Sequence, residues 1–235
     1  MRKVSIIIPG FNEEKTIGKL LKKISTINLK RIGFRKEIIF VDDGSTDNTK
    51  SVVKKNKETI YIRQFNQGKG SAVQKGIKFS TGDIILVQDA DLEYNPNDYS
   101  KMLKPFKEKK KISVFGSRYK GKSIFSYNFF SKNRQSFFAF VFNYLLSAYF
   151  FLLYRVYISD LLTGYKLYEK NFFKKLKVKT NGFETDHELT INLLKKKYKI
   201  LEVPISYNPR TKQEGKKINF FDALKAISVL TKMRF

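Results

Sequence analysis

The sequence contains no cysteine and only one histidine, His187. Without cysteine, a disulfide framework, a thiolate metal site and cysteine catalysis are all excluded. One histidine cannot form a histidine-based metal site, and we expect His187 on a helix surface rather than in a catalytic role. The remaining candidate metal ligands are carboxylate oxygens, which favour hard cations such as Mg²⁺ or Mn²⁺.

Two common nucleotide-binding motifs are also missing. The chain has no G-x-G-x-x-G and no G-x-x-x-x-G-K-[ST], and the run Gly68-Lys69-Gly70-Ser71 is too short for a P-loop. These absences disfavour dehydrogenases and P-loop NTPases. The first nine residues do not have the pattern of a signal peptide, because their apolar run is short and ends at Pro9.

Acidic residues are few relative to basic ones, 21 against 47, and the formal net charge is +26. Such an excess attracts polyanions, namely nucleic acid, an anionic membrane or phosphorylated small molecules. Lysines supply most of it and can equally form a solvated surface, whereas the nine arginines are better suited to bidentate phosphate recognition. At 235 residues and 42% hydrophobic content, the chain can form one large domain with a real core.

Short apolar runs alternate with helical patterns along the chain. The predicted strands are residues 4–8, 37–41, 60–63, 84–87, 112–116 and 200–207. The predicted helices start within Asn12–Glu14 and at Pro96, and cover about 47–56, 70–80 and 219–233. This alternation predicts an α/β fold with a mostly parallel central sheet flanked by helices. We expect one domain over 1–235, with a nucleotide-binding part of about 1–118 and an acceptor- or membrane-facing part of about 119–235.

Residues 136–154 form the longest uncharged segment, nineteen positions rich in aromatic side chains. Its length permits a membrane-spanning helix, but Asn143 and Ser147 argue against one. A helix lying in the membrane interface fits the aromatic residues and the flanking Lys132, Arg134 and Arg155. A buried core helix and a dimer contact remain alternatives.

Polar loops follow four of the predicted strands: Pro9–Glu13, Asp42–Ser45, Gln88–Glu93 and Gly116–Arg118. In an open α/β sheet the carboxyl ends of the strands converge on one binding site. Asp89 and Asp91 lie two residues apart after an apolar strand, and in an extended chain both would face the same crevice. Two carboxylates in one place repel each other, which favours binding of a divalent cation.

A set of short segments occurs in the order and spacing typical of one enzyme family. They are Ile8–Glu14, Val41–Asp47, Asn66–Gly70, Gln88–Glu93, Gly116–Arg118, Asp160–Lys166, Gly182–Asp186, Glu202–Ile205 and Pro209 through Ile218. Together they resemble family 2 glycosyltransferases with the GT-A fold, close to the dolichol-phosphate mannosyltransferase-like branch. The resemblance spans about residues 3 to 225.

The resemblance implies roles for individual residues on the donor side. It places residues of the nucleoside pocket at Pro9, Phe11, Glu13, Val41 and Asp43. Asp43 would form a hydrogen bond with the base. The family more often has Tyr where this chain has Phe11. In the Asp89-Ala90-Asp91 run, Asp89 would contact the nucleotide or sugar and Asp91 the divalent metal, with Glu93 as a second metal-side ligand.

The resemblance also implies basic residues around the phosphates. Arg118, Arg210 and Lys216 match positions facing the donor diphosphate, and Arg134 matches a basic residue near an acceptor phosphate. The growing charge on a leaving nucleoside diphosphate is stabilised by a metal and by fixed Arg and Lys donors.

The family inverts configuration at the anomeric carbon, so a hydroxyl acceptor needs a general base. Asp186 and Glu184 are the candidates. A phosphate acceptor is already anionic and needs no base, in which case these two carboxylates serve as caps of the following helix.

The sequence therefore predicts an inverting glycosyltransferase dependent on Mg²⁺ or Mn²⁺. It would move a sugar from GDP-mannose or a UDP-sugar to a polyprenyl or dolichyl phosphate. We expect it in the cytoplasm, peripheral at an anionic membrane face, with a membrane-protein partner or a second copy as open alternatives. A soluble or cell-surface glycan hydroxyl is the alternative acceptor. A nucleic-acid-binding protein and a sugar-1-phosphate nucleotidyltransferase are remote alternatives, because no nucleic-acid module and no glycine-rich, arginine-containing first loop is present.

Overall fold

The structure of the protein, a computed structural model, describes residues 1–121, 134–210 and 220–235; side chains are described in these ranges except at 134–136, 138 and 220–223. Its centre is a seven-stranded sheet with the order β3-β2-β1-β4-β6-β5-β7. The strands are β1 Arg2–Gly10, β2 Phe34–Asp42, β3 Thr59–Arg63, β4 Ile84–Val87, β5 Ile112–Ser117, β6 Lys166–Glu169 and β7 Lys199–Pro204. Only β6 runs antiparallel to its neighbours, β4 and β5, within this sheet. The predicted α/β architecture is confirmed.

Helices cover both faces of the sheet. The α-helices are α1 Ile17–Thr26, α2 Thr49–Lys54, α3 Lys69–Phe79, α4 Tyr99–Leu103, α5 Arg134–Tyr154, α6 Thr185–Lys195 and α7 Phe220–Lys232. Successive side chains of a strand point to opposite faces, so Ile6 and Ile8 pack with α1 and α4 on one side while Ile7 packs with α3, α5 and α6 on the other. The sheet therefore has a separate hydrophobic core on each face.

Among the element boundaries that differ from the prediction, two have a local structural cause. The first helix begins at Ile17, because Asn12 has a positive φ of 54° and residues 13–16 form a turn before it. The apolar face of this helix is buried and consists of Ile17, Leu20, Leu21 and Ile24. The last strand ends at Pro204 instead of 207, because the Ser206 N–H donates to the Asp98 carboxylate at 2.6 Å and leaves the ladder.

The uncharged segment 136–154 lies in α5, a helix of 21 residues. Asn143, Ser147 and Phe150 are buried against the core, whereas Leu145 and Leu152 are 59% and 64% exposed. The buried-core interpretation therefore describes one face of α5, and the other face is open to a further contact. No helix in the described parts of the chain combines the length and hydrophobicity needed to cross a membrane.

Candidate active site

The loops after β1, β2 and β4 meet at one edge of the sheet, as the sequence predicted. The Asp43 N–H donates to the Gly10 carbonyl at 2.9 Å, and the Gln88 N–H donates to the Ile7 carbonyl at 2.9 Å. The Asn12 N–H donates to the Ser45 hydroxyl, also at 2.9 Å. These bonds join the ends of three neighbouring parallel strands into one polar surface.

Asp43 organises the loop that leads into α3. Its carboxylate accepts hydrogen bonds from the Gln64 side chain at 2.7 Å, from the Gln67 N–H at 2.9 Å and from the Gly68 N–H at 2.8 Å. Asp43 is therefore held rigidly by the loop, and its contact with a base remains a prediction. Of the other residues expected in the nucleoside pocket, Pro9, Val41 and Glu13 are buried, and Phe11 is half-buried.

A cluster of three carboxylates follows β4. The strand ends at Val87, and Leu92 has a positive φ of 66°, so a turn and not an extended strand carries Asp89, Asp91 and Glu93. The expectation that strand spacing aligns Asp89 with Asp91 is therefore wrong. The charges still lie close together: burial, Asp89 and Glu93 raise the pKa of Asp91 to about 7.

Arg210, which follows β7 and is distant in sequence, neutralises part of the charge of this cluster. Its guanidinium lies 2.8 Å from the Asp91 carboxylate and 3.4 Å from the Glu93 carboxylate, and its backbone N–H donates to Glu93 at 3.0 Å. Although burial acts in the opposite direction, the charges of Asp91, Glu13 and Glu93 raise the pKa of Arg210. The predicted diphosphate ligand thus lies directly against the predicted metal ligands. Among the described residues, no three acidic or histidine side chains form a ready-made metal site.

Arg118, the second predicted diphosphate ligand, is paired with a buried acid. Its guanidinium donates to both carboxylate oxygens of Asp160, at 2.7 and 2.8 Å, and its N–H donates to the same residue at 2.9 Å. The Arg118 guanidinium also lies 5.0 Å from the Tyr207 ring centroid. A bidentate pair fixes the plane of the guanidinium, so the Arg118 side chain is held in one orientation.

The two candidate bases lie at the start of α6. Glu184 occupies the N-cap position without a capping hydrogen bond, and its carboxylate accepts from the Gly182 N–H at 3.2 Å. Asp186 is in the first turn, where the helix dipole stabilises a carboxylate. Both residues therefore lie at the start of the helix, and their roles as caps or as a general base remain predictions.

His187 is buried, and the expectation of a surface position is wrong. The side chain is 5% exposed and points into the protein because residue 187 lies on the core-facing side of α6. Burial and the nearby charge of Lys166 lower the pKa of His187 to about 3, which keeps the imidazole neutral. Lys166 itself is fully buried, and burial lowers its pKa.

Lys69 was not predicted as a site residue. Its ammonium lies 2.6 Å from the Asp89 carboxylate, at the first residue of α3. The signal in the sequence was a lysine between two glycines after a strand, which we considered as an incomplete P-loop and as part of the Asn66–Gly70 segment without giving Lys69 a role. Lys216 lies outside the described residues, as does the side chain of Arg134.

Comparison with known proteins identifies the family of this chain. A family model described as glycosyl transferase family 2 matches residues 5–177. A protein of Methanocaldococcus jannaschii is 32% identical over 215 residues, covering 85% of this chain and 86% of the relative. The dolichol-phosphate mannosyltransferase of Pyrococcus furiosus is 30% identical over 226 residues, covering 91% of this chain and 59% of the relative.

Solved structures share the architecture. Glucosyl-3-phosphoglycerate synthase from Mycobacterium tuberculosis, in complex with Mn²⁺, UDP and phosphoglyceric acid, aligns with a TM-score of 0.73 at 19% identity. The alignment covers 99% of this chain and 78% of that protein. The same enzyme in complex with Mg²⁺ and UDP also aligns with a TM-score of 0.73 at 19% identity, covering 99% and 79% of the two chains. This likeness confirms the predicted GT-A fold.

Proposed function

The chain belongs to glycosyl transferase family 2, and from this premise we propose that it transfers a sugar from GDP-mannose or a UDP-sugar to a polyprenyl phosphate, with inversion at the anomeric carbon. The observation that carries the proposal is the cluster in which the Arg210 guanidinium lies between Asp91 and Glu93. Acidic and basic groups packed together at the carboxyl edge of the sheet suit a metal-bridged diphosphate.

The residues present fit a divalent cation. Asp91 and Glu93 already hold one cationic group between them, and burial, together with the charges of Asp89 and Glu93, raises the pKa of Asp91 to about 7. We propose that these two residues hold Mg²⁺ or Mn²⁺, which when bound supplies Lewis acidity to the donor diphosphate. The Arg210 guanidinium, which lies against both carboxylates, would serve as a donor to the phosphate oxygens.

The surroundings of Asp186 support a phosphate acceptor over a hydroxyl. Its charge acts on the side chains of Lys69 and Lys166, so it lies near two basic residues. The same cations attract an anionic acceptor, which attacks without losing a proton. The name of the Pyrococcus furiosus relative supports the same acceptor class.

The exposed face of α5 supports delivery of the acceptor from a membrane surface. Tyr144, Leu145 and Leu152 are each more than half exposed on this helix, and Tyr157 follows at 57%. Together with the net charge of +26, such a face favours binding at an anionic bilayer. We therefore propose a peripheral position at the cytoplasmic face of a membrane.

A thermal-unfolding panel tests the donor and the metal together. The protein is heated with GDP-mannose, UDP-glucose, UDP-N-acetylglucosamine or dTDP-glucose, each with Mn²⁺ or with EDTA. Because a ligand that binds only the folded state stabilises it by mass action, one donor should raise the melting temperature by several degrees only with Mn²⁺. Asp91→Asn should remove the dependence on Mn²⁺. No shift with any donor, or equal shifts with EDTA, would overturn the assignment.

A further inference from the structure

Lys69 joins the donor side of the site to the acceptor side. It is the first residue of α3, and its ammonium lies 2.6 Å from the Asp89 carboxylate at the end of β4. The side chains of Lys69 and Asp89 are only 16% and 20% exposed. An ion pair this enclosed is poorly screened by solvent, so it constrains both side chains more than a surface pair would.

The same ammonium faces the start of α6. Its nitrogen lies 5.6 Å from the centroid of the Phe183 ring. Although burial acts in the opposite direction, the charges of Asp89, Asp186 and Asp91 raise the pKa of Lys69, so it stays protonated. One cation thus pairs with Asp89 on the donor side and lies against the Phe183 ring, which comes just before α6 and its candidate base Asp186.

Three glycines allow the backbones around Lys69 to come this close. A Cβ atom on Gly70 would lie 1.9 Å from the Thr185 hydroxyl, and one on Gly68 would lie 2.7 Å from the Asn181 carbonyl. A Cβ atom on Gly164 would lie 2.6 Å from the Asp89 carboxylate and 3.2 Å from the Lys69 ammonium. The ion pair therefore occupies a tightly bounded place between α3, α6 and the loop before β6.

We propose that Lys69 is a positioning residue for sugar transfer, whose ammonium fixes the Asp89 carboxylate relative to the acceptor-side helix α6. The inference rests on the proposed function. Asp89 belongs to the acidic run assigned to the donor, and α6 carries the acceptor-side carboxylates, so Lys69 sets the geometry between the two substrates. A misplacement of about 1 Å between reacting groups costs on the order of 100-fold in rate.

A purely structural role would give a different result. If Lys69 only held the fold together, its loss would lower stability and weaken every activity equally. A positioning role instead lowers kcat while leaving the affinity for the nucleoside diphosphate nearly unchanged. We therefore expect Lys69→Met to lower kcat about 100-fold while the Kd of the nucleoside diphosphate changes less than about threefold.

The absence of cysteine allows the charge at this position to be restored chemically. In Lys69→Cys the new thiol is the one thiol of the protein, so 2-bromoethylamine rebuilds a lysine-like ammonium at residue 69 alone. Iodoacetamide gives a neutral adduct of similar length. Both variants are alkylated while unfolded and are then refolded. Lys78→Cys, which changes an exposed residue on the same helix, is the control. Mass spectrometry counts the adducts.

We expect the ammonium adduct at residue 69 to recover at least tenfold in kcat over the neutral adduct, with Lys78→Cys unaffected by either reagent. Equal kcat for the two adducts, or wild-type kcat in Lys69→Met, would overturn the inference. These outcomes differ from failure of the proposed function, in which the wild-type protein itself would transfer no sugar.

Discussion

Several acidic side chains of the site are paired with basic residues from other parts of the chain. Lys69 pairs with Asp89, and Arg118 pairs with Asp160. Such pairs cost solvation free energy and persist in a partly buried place only when the geometry satisfies both charges. At the residue scale, the site is therefore a preorganised set of opposite charges, which suits a reaction that moves negative charge onto a leaving group.

The Arg118–Asp160 pair should be important for stability. Asp160 is fully buried, so Asp160→Ala leaves an unpaired buried guanidinium and should lower the free energy of unfolding by about 3–5 kcal/mol. Lys101→Ala removes the partner of Asp98 in a pair whose lysine is 43% exposed, and should cost less than about 1 kcal/mol. Urea denaturation measures the free energy of unfolding of both variants. Equal losses in the two would contradict a special role of the Arg118–Asp160 pair in stability.

His187 should make the fold sensitive to acid. Its pKa is about 3 in the folded protein and about 6.5 in the unfolded chain, so the unfolded chain takes up a proton first as the pH falls. This contribution is fully present above about pH 6.5 and is lost as the pH falls towards 3. Between pH 7.5 and pH 5 the wild type should lose about 2 kcal/mol more unfolding free energy than His187→Gln. Equal losses in urea titrations at the two pH values would contradict the assignment.

At the scale of elements, the close contact between α3 and α6 is the least expected feature of the fold. The Ser71 N–H donates to the Asn181 carbonyl at 3.0 Å, and the neighbouring Gly70 lies against Thr185. The two helices come from different halves of the chain, so this contact brings the donor and acceptor sides together.

Gly70→Ala should separate these two helices. A Cβ atom there meets the backbone carbonyl of Gly182 at 2.8 Å as well as the Thr185 side chain, so overpacking should cost about 1–3 kcal/mol and lower sugar transfer. Gly18→Ala on α1 is the matched control, because its Cβ atom would meet only the Val52 side chain, at 3.1 Å. The control should change the unfolding free energy by less than about 1 kcal/mol. A Gly70→Ala protein as stable and active as the control would be inconsistent with this packing.

Much of the element pattern could be predicted from the sequence, but one central strand could not. The apolar runs before Asp42 and Asp89 identified β2 and β4, because a strand buried on both faces is continuously hydrophobic. β6 has only four residues, starts with the buried Lys166 and pairs antiparallel with both neighbours, so it shows neither a long apolar run nor an alternating pattern.

The site was predictable only in part for a similar reason. Carboxylates that directly follow an apolar run can be recognised from the local sequence, and Asp89, Asp91 and Glu93 were identified in this way. The pairing of Asp91 with Arg210 joins residues 119 positions apart and depends on how β7 is placed in the sheet. His187 was misplaced because burial of a polar side chain depends on which face of α6 meets the core, which one residue type does not reveal.

At the scale of the whole molecule, positive charge and an exposed apolar helix face occur together. Exposed apolar side chains scattered singly are ordinary, but Leu145 and Leu152 lie two turns apart on one face of α5. This arrangement matches a helix whose apolar face enters the headgroup region of a bilayer.

Binding to vesicles should therefore depend on α5. The double variant Leu145→Ser/Leu152→Ser should bind vesicles with 30% anionic lipid about tenfold more weakly than the wild type, because apolar area buried in the bilayer is lost. Phe65→Ser, at a position 88% exposed in the loop before α3, is the control and should bind like the wild type. Vesicle sedimentation at increasing salt concentration measures the binding of the double variant and of the control. Equal weakening in the control would show that α5 is not the contact.

Sugar transfer to a phosphorylated polyprenol is measured directly by the mass of the lipid product. The protein is incubated with Mn²⁺, undecaprenyl or dolichyl phosphate in detergent, and GDP-mannose or a UDP-sugar, and the lipid fraction is analysed by mass spectrometry. We expect one of the donors to give a lipid phosphate heavier by one sugar residue, and Asp91→Asn to give none of this product. Sugar found only on a soluble hydroxyl acceptor, or product formation unchanged by Asp91→Asn, would contradict the proposed function.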